Sequence, residues 1–297
     1  MYNIGFIGAG KVGVSLGRYL FEDCPNARLC GYYSRSIESS NYAAKITNSA
    51  QFNNLEKLIE KCNILIITTS DDAIADVWGE LSNFNIQNKI VCHCSGSLSS
   101  EIFFDISSKG SFACSMHPLK AINSKENSYK DLKDSYFTLE GDTQAVDIMK
   151  SFLQYKGNPY KLMTSTDKRS YHLASVFMSN LMIAMGNISV KLLAKYGFSE
   201  EESLMALSSL SIGNINRMFE VGLEDALTGP LERSDIKTIK NHLSSLSDDK
   251  DCKGLDEDSL VRIEKIYRLL SLDLLEVARK KHPDRNYSDI EDLLKKD

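Results

Sequence analysis

Three glycines near the start of the chain constrain its fold more than any other feature. Gly8, Gly10 and Gly13 follow a short apolar run, residues 3–7, and precede a stretch with helical spacing, residues 14–20. In a dinucleotide-binding βαβ unit, the first glycine permits the tight turn, the second lets a pyrophosphate approach the backbone, and the third lets the helix pack closely on the strand. The free N–H groups and the dipole of the helix favour a phosphate there. Glycines also cluster in turns for structural reasons alone, but the flanking strand and helix favour the binding motif. The predicted cofactor residues of this turn are Gly8, Ala9, Gly10, Lys11, Val12 and Gly13.

The end of the second predicted strand indicates which dinucleotide is bound. Residues 27–33 are mostly apolar and lead into Ser34-Arg35-Ser36, where an NAD enzyme usually carries an acidic residue for the ribose 2′-hydroxyl. One arginine and two hydroxyls suit a 2′-phosphate, which an acidic side chain would repel. A polar loop with a solvated arginine is the other interpretation. The chemistry favours NADP, used as NADPH, over NAD.

Polar residues also follow the clearest buried strand of the chain, residues 63–69. In an open parallel sheet, ligands bind outside the carboxyl ends of the strands. Thr69, Ser70 and Asp72 are therefore predicted to lie near the cofactor, although Asp72 could equally cap the helix that follows.

Two further predicted strands end in small or ionisable residues. Residues 89–94 lead into Ser95-Gly96-Ser97, and residues 112–116 lead into His117. Small residues let a backbone approach a nicotinamide or a substrate carboxylate, and a tight turn needs the same residues. We predict that Ser95, Gly96 and His117 bind substrate, while His93 and His117 could equally be hydrogen-bonded core residues.

The pattern changes at residue 165 from alternating strands and helices to long helices. We predict an α/β Rossmann domain with a doubly wound, mostly parallel sheet at residues 1–164, which binds NADP. An all-α domain for substrate binding and dimerisation follows at residues 165–297. Its predicted helices cover residues 165–196, residues 200–221 with an interruption at 213–216, a segment ending at 243, and residues 260–279 with an apolar stripe; residues 244–259 are predicted to form a polar loop.

One polar line runs along the first of these helices. Lys168, His172, Ser175 and Ser179 recur at helical spacing on an otherwise apolar segment. Such a line is usually a solvent-exposed face. The near absence of other charges favours a buried cleft instead.

Composition limits the partners and the compartment. The 35 basic residues against 40 acidic ones give a net charge of −5, which offers no basic excess for nucleic acid. No apolar run of bilayer length is evident and the first strand starts near Met1, so we predict a cytoplasmic protein without a membrane partner. The seven cysteines, odd in number and several within strands, indicate reduced thiols. Successive residues of Cys92-His93-Cys94 would point to opposite faces of a strand, which argues against a metal site.

Taken together, these stretches resemble the Rossmann-like proteins with a helical C-terminal domain of the 6-phosphogluconate-dehydrogenase type, and most of all the branch of the alternative ketopantoate reductases. The matching segments are GFIGAGKVG at 5–13, TTSDDAI at 68–74, HCSGSLS at 93–99, MHPL at 116–119, KRSYHLASVFMSN at 168–180, ALTGPLERSD at 226–235 and YRLLSLDLLEVAR at 267–279. One departure is Ser234, where the family motif carries a glycine between arginine and aspartate. A positive φ there would strain the serine.

The resemblance implies an NADPH-dependent reductase of a small 2-oxo acid, with ketopantoate as the leading substrate. A homodimer through the helical domain is predicted from the apolar stripe at residues 260–279, which is expected to face its own core in part and to form a dimer seam in part. Hydride arrival builds charge on the carbonyl oxygen, which Lys168 is placed to stabilise and protonate as a cationic acid. His172 stands where related hydroxyacid dehydrogenases have an asparagine, and it could orient the carbonyl or share the proton.

Further substrate contacts are expected from Asn180, from the backbone after the fifth strand and from Arg233, which suits a carboxylate as a bidentate fork. An ion pair of Arg233 with Asp235 or Glu232 is the structural alternative. Two other functions stay open: an imine reductase of the pyrroline-5-carboxylate type, and a non-enzymatic sensor that binds NADPH.

Overall fold

A parallel sheet forms around the strand that precedes the glycine turn. The structure is a computed structural model that describes residues 1–247 and 255–296. Its contacts divide the chain into two compact units, residues 1–179 and 180–297. The strands, all in the first unit, are β1 (Tyr2–Ile7), β2 (Ala27–Tyr33), β3 (Ala50–Phe52), β4 (Ile64–Ile67), β5 (Ile90–His93), β6 (Phe112–Pro118), β7 (Phe137–Gly141) and β8 (Tyr160–Leu162). The helices of this unit are α1 (Lys11–Phe21), α2 (Ile37–Ile46), α3 (Leu55–Lys61), α4 (Asp71–Leu81), α5 (Ser128–Asp131), α6 (Thr143–Lys156) and α7 (Lys168–Phe177).

The sheet has the order β3-β2-β1-β4-β5-β6-β7-β8. Strands β1 to β6 run parallel, whereas β7 pairs antiparallel with β6 and carries β8 parallel to itself. The strand order reverses between β1 and β4, which places a crevice at their carboxyl ends. The predicted α/β Rossmann fold with a mostly parallel sheet is confirmed.

Helices cover both faces of this sheet, which explains why its strands are continuously apolar rather than alternating. In β4, Ile64 and Ile66 pack into one core with α1 and α6, while Leu65 and Ile67 pack into another with α3 and α4. All four side chains are fully buried. Both layers hold the carboxyl ends of the strands at fixed positions.

The helix predicted for residues 165–196 is two helices. A short 3-10 turn at Ser165–Asp167 leads into α7, which ends at Phe177 before the second unit begins with a new helix at Asn180. The hydroxyl of Ser179 donates to the carbonyl of Ser175, a side-chain bond that bends helices. By its contacts α7 belongs to the first unit. This unit therefore ends at residue 179, whereas the sequence pattern predicts the domain boundary at residues 164/165.

The second unit is helical, with α8 (Asn180–Ala194), α9 (Glu200–Ala226), α10 (Ile236–Ser247), α11 (Glu257–Lys281) and α12 (Ser288–Lys295). The interruption predicted at 213–216 is wrong, because α9 continues through it and kinks instead at Gly222, whose φ of 85° favours glycine. The sequence did not predict α12. Of the loop predicted at 244–259, residues 244–247 and 257–259 are helical, and residues 248–254 lie outside the described residues.

The apolar stripe predicted on α11 is buried only in part; its residues are Ile263, Ile266, Tyr267, Leu270, Leu274 and Val277. The buried residues of the helix are Ser259, Ile263, Ser271, Leu275 and Ala278. Leu275 and Ala278 share a small core with α10 and α12, and Tyr267 packs against it. Leu270 and Leu274 are exposed.

Many large apolar side chains of the second unit are exposed. Ile183 and Phe219 each expose 75% of their surface. Contrary to the sequence-based expectation, one stretch within residues 1–247 and 255–296, Ser165–Ala194, is long and apolar enough to cross a membrane, and none of its most apolar window is buried. Length and composition are the only support for such a span, and the stretch is broken between α7 and α8.

Candidate active site

The glycine turn leaves open space at the start of α1. Gly8 has a φ of 110°, and a methyl group there would lie 2.9 Å from the Thr68 carbonyl carbon. At Gly13 a methyl group would lie 2.6 Å from Oγ1 of Thr68, so this glycine permits the close packing of the turn. At Gly10 no atom lies within 4 Å of the same position, and Gly10 is the N-cap of α1 without a side-chain cap. Ala9 is buried, Val12 is half-buried and Lys11 is exposed.

The polar triplet after β2 stands beside this turn. The Gly8 amide donates to the Tyr33 carbonyl at 2.8 Å, which joins the ends of β1 and β2. Ser36 caps α2 by accepting from the Ser39 amide at 3.1 Å. Arg35 is exposed and forms no ion pair within the described part of the chain, and Ser34 is half-buried. An unengaged guanidinium at this position suits an anion on a ribose.

The end of β4 adds a third side to the crevice. Oγ1 of Thr69 is buried and has no hydrogen-bond partner among residues 1–247 and 255–296. Ser70 is the N-cap of α4 without a side-chain bond, and Asp72 lies in the first turn of the helix rather than at the cap. A buried hydroxyl without a partner is uncommon in proteins and fits a site that a ligand completes.

Asp71, which sequence reasoning missed, fixes the loop after β5. Its Oδ2 accepts from the hydroxyl of Ser95 at 2.7 Å and from that of Ser97 at 2.8 Å. Oγ of Ser95 also accepts from the amides of Ser97 and Leu98, each at 3.1 Å. The side chain of Ser95 is therefore fully engaged, and the loop is held at both ends of its small turn.

Two imidazole rings close against the backbone of this loop. A methyl group at Gly96 would lie 2.6 Å from Cδ2 of His172 and 2.9 Å from both Cε1 and Nε2 of His117. The ring centroids of the two histidines are 6.3 Å apart. Glycine at position 96 is thus what allows both rings to approach the loop.

Lys168, the first residue of α7, is buried at the carboxyl edge of β5 and β6. Its side chain is 1% exposed, and Nζ donates to the Ser95 carbonyl at 2.9 Å and to Oγ of Ser115 at 2.7 Å. Burial lowers the pKa of Lys168, and the negative charge of Glu140 opposes this effect. Ser115 pairs with Glu140 across β6 and β7, and Glu140 itself accepts from the amide and hydroxyl of Ser100. A buried ammonium is therefore balanced by a buried carboxylate across one serine.

The two histidines of the edge strands are neutral for related reasons. Burial lowers the pKa of His93 to about 4, and burial together with the Lys168 charge lowers the pKa of His117 to about 4. Nδ1 of His93 accepts from the Ser95 amide at 3.2 Å, so His93 supports the loop. Nδ1 of His117 pairs with the hydroxyl of Tyr171 at 2.9 Å. His93 is fully buried, whereas His117, Tyr171 and His172 are half-buried.

Sequence reasoning missed Asp71, Tyr171, Ser115 and Glu140. Asp71 and Tyr171 lie inside the recognised segments TTSDDAI and KRSYH, next to residues that were chosen. Ser115 and Glu140 carry no motif signal, because only the antiparallel pairing of β6 with β7 places them together. No group of metal-ligating side chains and no disulfide occurs in the described ranges, where six cysteines are free.

The remaining two candidates belong to the second unit. Asn180 begins α8. Arg233 is exposed and forms no ion pair among the described residues; Glu232 pairs with His282 and Arg285 instead. Ser234 has a φ of 60°, so the strain expected for a serine at this place is present.

Two domain families match the chain. The Rossmann-like domain matches residues 1–118, and the domain of unknown function DUF2520 matches residues 135–274. The DUF2520 match begins within the sheet, since it includes β7 and β8, and it continues into the helices of the second unit. No curated protein matches it in sequence.

Solved structures share this fold over nearly the whole chain. Protein TM1727 from Thermotoga maritima is 26% identical with a TM-score of 0.71, over 94% of this chain and 99% of that one. A reductive aminase from Aspergillus terreus, in complex with NADPH and ethyl-5-oxohexanoate, is 14% identical with a TM-score of 0.62, over 99% and 100%. A pyrroline carboxylate reductase from Plasmodium falciparum with NADP bound is 12% identical with a TM-score of 0.59, over 94% and 96%. The last two identities are low enough that they establish the fold alone.

Proposed function

We propose that this protein is an NADPH-dependent reductase of a small 2-oxo acid, with 2-dehydropantoate (ketopantoate) as the first candidate substrate and pantoate, a precursor in pantothenate biosynthesis, as its product. The observation that carries the proposal is Lys168, a buried ammonium held at the carboxyl edge of β5 and β6 beside two half-buried histidines. Perturbed ionisable groups gather where charge develops during a reaction. Reduction of a carbonyl develops such a charge on oxygen.

The residues around the glycine turn fit NADP. The open start of α1 at Gly10 suits a pyrophosphate, and the buried hydroxyl of Thr69 lacks a partner in the described chain. Arg35, exposed and outside any described ion pair, suits a 2′-phosphate, with Ser34 and Ser36 beside it. Ser70 and Asp72 border the same crevice. When bound, NADPH supplies a hydride.

The roles of the residues on the substrate side follow from the hydrogen bonds and contacts that they already make. Lys168 provides a fixed positive charge, and His172 lies over Gly96 where it can orient a carbonyl. Because the hydroxyl of Ser95 is engaged by Asp71, its amide by His93 and its carbonyl by Lys168, the loop contributes to substrate binding through its backbone at Gly96. Arg233 and Asn180 of the second unit are proposed ligands for the substrate carboxylate and hydroxyl.

Absorbance of NADPH tests the activity directly, with 2-dehydropantoate as substrate and NADH in parallel. We expect NADPH to be oxidised much faster than NADH, because Arg35 recognises the additional phosphate. Equal use of both cofactors would contradict the role of Arg35. Tight NADPH binding without any oxidation would favour the sensor function.

Lys168→Ala should lower turnover by about 10² to 10⁴ while NADPH binding, followed by fluorescence, stays nearly intact. Lys168→Met removes the charge but keeps an apolar side chain of similar length, and its turnover should fall by the same factor. Lys161→Ala, at an exposed lysine of β8, is the matched control and should keep wild-type turnover. Unchanged turnover in Lys168→Met would show that the Lys168 charge does not contribute to the reaction.

Reduction of an imine is the second candidate, because the pyrroline carboxylate reductase and the reductive aminase share this fold. The same assay with 1-pyrroline-5-carboxylate separates the two reactions. Faster turnover of this imine than of 2-dehydropantoate would replace the first candidate.

We further propose that the protein is a cytoplasmic homodimer formed through its helical unit. The exposed apolar side chains of α8 and α9 support this, since monomers rarely expose so many. A second copy would cover them without a membrane.

A further inference from the structure

Lys168 is poorly placed to give up a proton, although the reaction needs one. Its side chain is 1% exposed, and two of its three N–H groups are donated to the Ser95 carbonyl and the Ser115 hydroxyl. A general acid must come within hydrogen-bond reach of the atom that it protonates. The proton must therefore come from a group nearer the surface of the same edge.

Tyr171 and His117 form such a group. The Tyr171 hydroxyl lies 2.9 Å from Nδ1 of His117, and both side chains are half-buried. Nε2 of His117 has no hydrogen-bond partner among the described residues and lies against Gly96, next to His172. One nitrogen of the ring is thus engaged inside the protein and the other is available at the loop.

The two ring nitrogens of His117 set the direction of the hydrogen bonds. A neutral imidazole carries one proton, on Nδ1 or on Nε2. Burial raises the pKa of Tyr171, so its hydroxyl keeps its proton and can donate. When that hydroxyl donates to Nδ1, which lies 2.9 Å away, the neutral ring carries its own proton on Nε2.

We propose that His117 is the proton donor of the reduction, with Nε2–H directed at the reacting oxygen or nitrogen and Tyr171 replacing the proton at Nδ1. This inference rests on the proposed reductase function. The hydride from NADPH brings the electron pair to the carbon, the π pair of the double bond moves to the heteroatom, and that atom takes the proton from Nε2. The N–H bond at Nε2 breaks as an N–H bond forms at Nδ1 with the Tyr171 proton. The tyrosinate left behind regains a proton from solvent.

The surrounding charges suit this relay. Lys168 from α7 and His93 from β5 disfavour a positive charge on His117, His172 acts in the same direction, and Asp71 from α4 opposes them. A ring kept neutral cannot donate as an imidazolium, so it needs a second proton source at Nδ1. In this arrangement Lys168 does not donate the proton. Together with burial, its charge keeps His117 neutral, and it stabilises the charge that develops on the reacting atom.

Nitrogen-15 NMR of labelled protein, free of cofactor, tests the arrangement without any activity. We expect His117 to be neutral at about pH 7, with its proton on Nε2, and Tyr171→Phe to give a mixture of the two tautomers. Tyr155→Phe, at an exposed tyrosine whose hydroxyl donates to the Asp23 carbonyl, is the control and should leave the His117 signals unchanged. A proton on Nδ1, or a charged ring, would overturn the proposal.

Kinetics provide the second readout. Tyr171→Phe and His117→Gln should lower kcat about 10² or more with KM little changed, and the solvent isotope effect on kcat should grow in Tyr171→Phe. Glutamine keeps an N–H near Nε2 but cannot relay a proton. Wild-type kcat in either variant would overturn the relay while leaving the reductase proposal standing. Absence of turnover in the wild-type protein with oxo acids and imines would overturn both.

Discussion

At the scale of single residues, the main feature of the carboxyl edge of β5 and β6 is the set of charges on its buried ionisable groups. His93 and His117 are neutral close to the Lys168 ammonium, and Glu140 balances that ammonium across Ser115. Burial keeps the histidines neutral, whereas the Lys168 ammonium, which burial disfavours, is supported by two hydrogen bonds and by the Glu140 charge. The edge therefore presents a fixed charge pattern before any ligand arrives.

The neutral state of His93 predicts a loss of stability in acid. Its pKa is about 4 in the folded protein against 6.5 for an ordinary histidine, so the unfolded chain binds the proton first. This contribution is fully present above the unfolded pKa, and it is lost as the pH falls from 6.5 towards the folded value, by about 3 kcal/mol in total. Urea unfolding of wild type and His93→Gln across this range measures it.

Other groups also titrate in this range, so the difference between the two proteins is the informative quantity. The wild-type free energy of unfolding should fall more steeply with acid than that of His93→Gln. His242→Gln, at an exposed histidine, should keep the wild-type slope. Parallel slopes for wild type and His93→Gln would show that folding does not lower the pKa of His93.

Local motifs identified much of this site, and the pairings between distant elements could not be read from the sequence. The glycine turn, Lys168 and His172 follow from spacing along a single strand or helix. The bonds from Ser95 and Ser97 to Asp71 join the ends of two strands, and Tyr171 reaches His117 across the sheet edge. Such contacts depend on the register of the strands, because a shift by one residue moves every side chain to the other face of the sheet. Strands that are covered on both faces are continuously apolar, so their sequences do not reveal the register.

At the scale of elements, α1 combines a tightly packed base with an open first turn. Gly13 contacts Thr68 closely, whereas nothing lies near the position of a side chain at Gly10. The two glycines therefore serve different purposes, although they look alike in the motif. One supports the fold, and the other leaves space for a phosphate.

Alanine substitutions should separate these purposes. Gly13→Ala should lower the melting temperature, because the methyl group meets the Thr68 hydroxyl and the Gly8 carbonyl at 2.6 and 2.7 Å. Gly10→Ala should leave the melting temperature near wild type and weaken NADPH binding at least about tenfold, or about 1.4 kcal/mol. Differential scanning fluorimetry and a fluorescence titration give the two quantities. Wild-type NADPH affinity in Gly10→Ala would contradict the placement of the pyrophosphate.

Element boundaries show where sequence patterns stop being informative. The second strand was predicted with its observed bounds, because turn-type residues flank it on both sides, at 25–26 and at 34–36. In α9, Gly213 and Asn214 suggested a break that the structure places at Gly222, because one glycine costs a helix only about 1 kcal/mol and a long helix tolerates it. The break after Phe177 escaped prediction, since an apolar pattern continues across it.

At the scale of the whole molecule, the helical second unit exposes many large apolar side chains. Side chains from α8 and α9 expose between 39% and 75% of their surface, as for Leu181 and Phe219. Stable dimers bury apolar surface of this kind. The helical unit is therefore where we expect the second copy to bind.

Light scattering after size exclusion tests this expectation. The protein should have twice the mass of its 33.3 kDa chain. The double variant Ile183→Glu with Phe219→Glu should run as a monomer, since it places charges on that surface. Leu162→Glu, at an exposed residue of β8, is the control and should stay dimeric. A wild-type mass of one chain would exclude the dimer, and recovery only with detergent would favour a membrane surface.

The loop after β5 also bears on how such a protein can change over generations. Because Ser95 and Ser97 are bound to Asp71, and the Ser95 carbonyl is bound to Lys168, substitutions there would disturb the support of the loop before they altered what it presents. Further along α7, the half-buried side chains of Ser175 and Val176 form no hydrogen bond with the loop in the described part of the chain. Lineages that adopt new substrates are therefore expected to diversify in this later part of α7 while they inherit the loop, Lys168, Tyr171 and His172 unchanged.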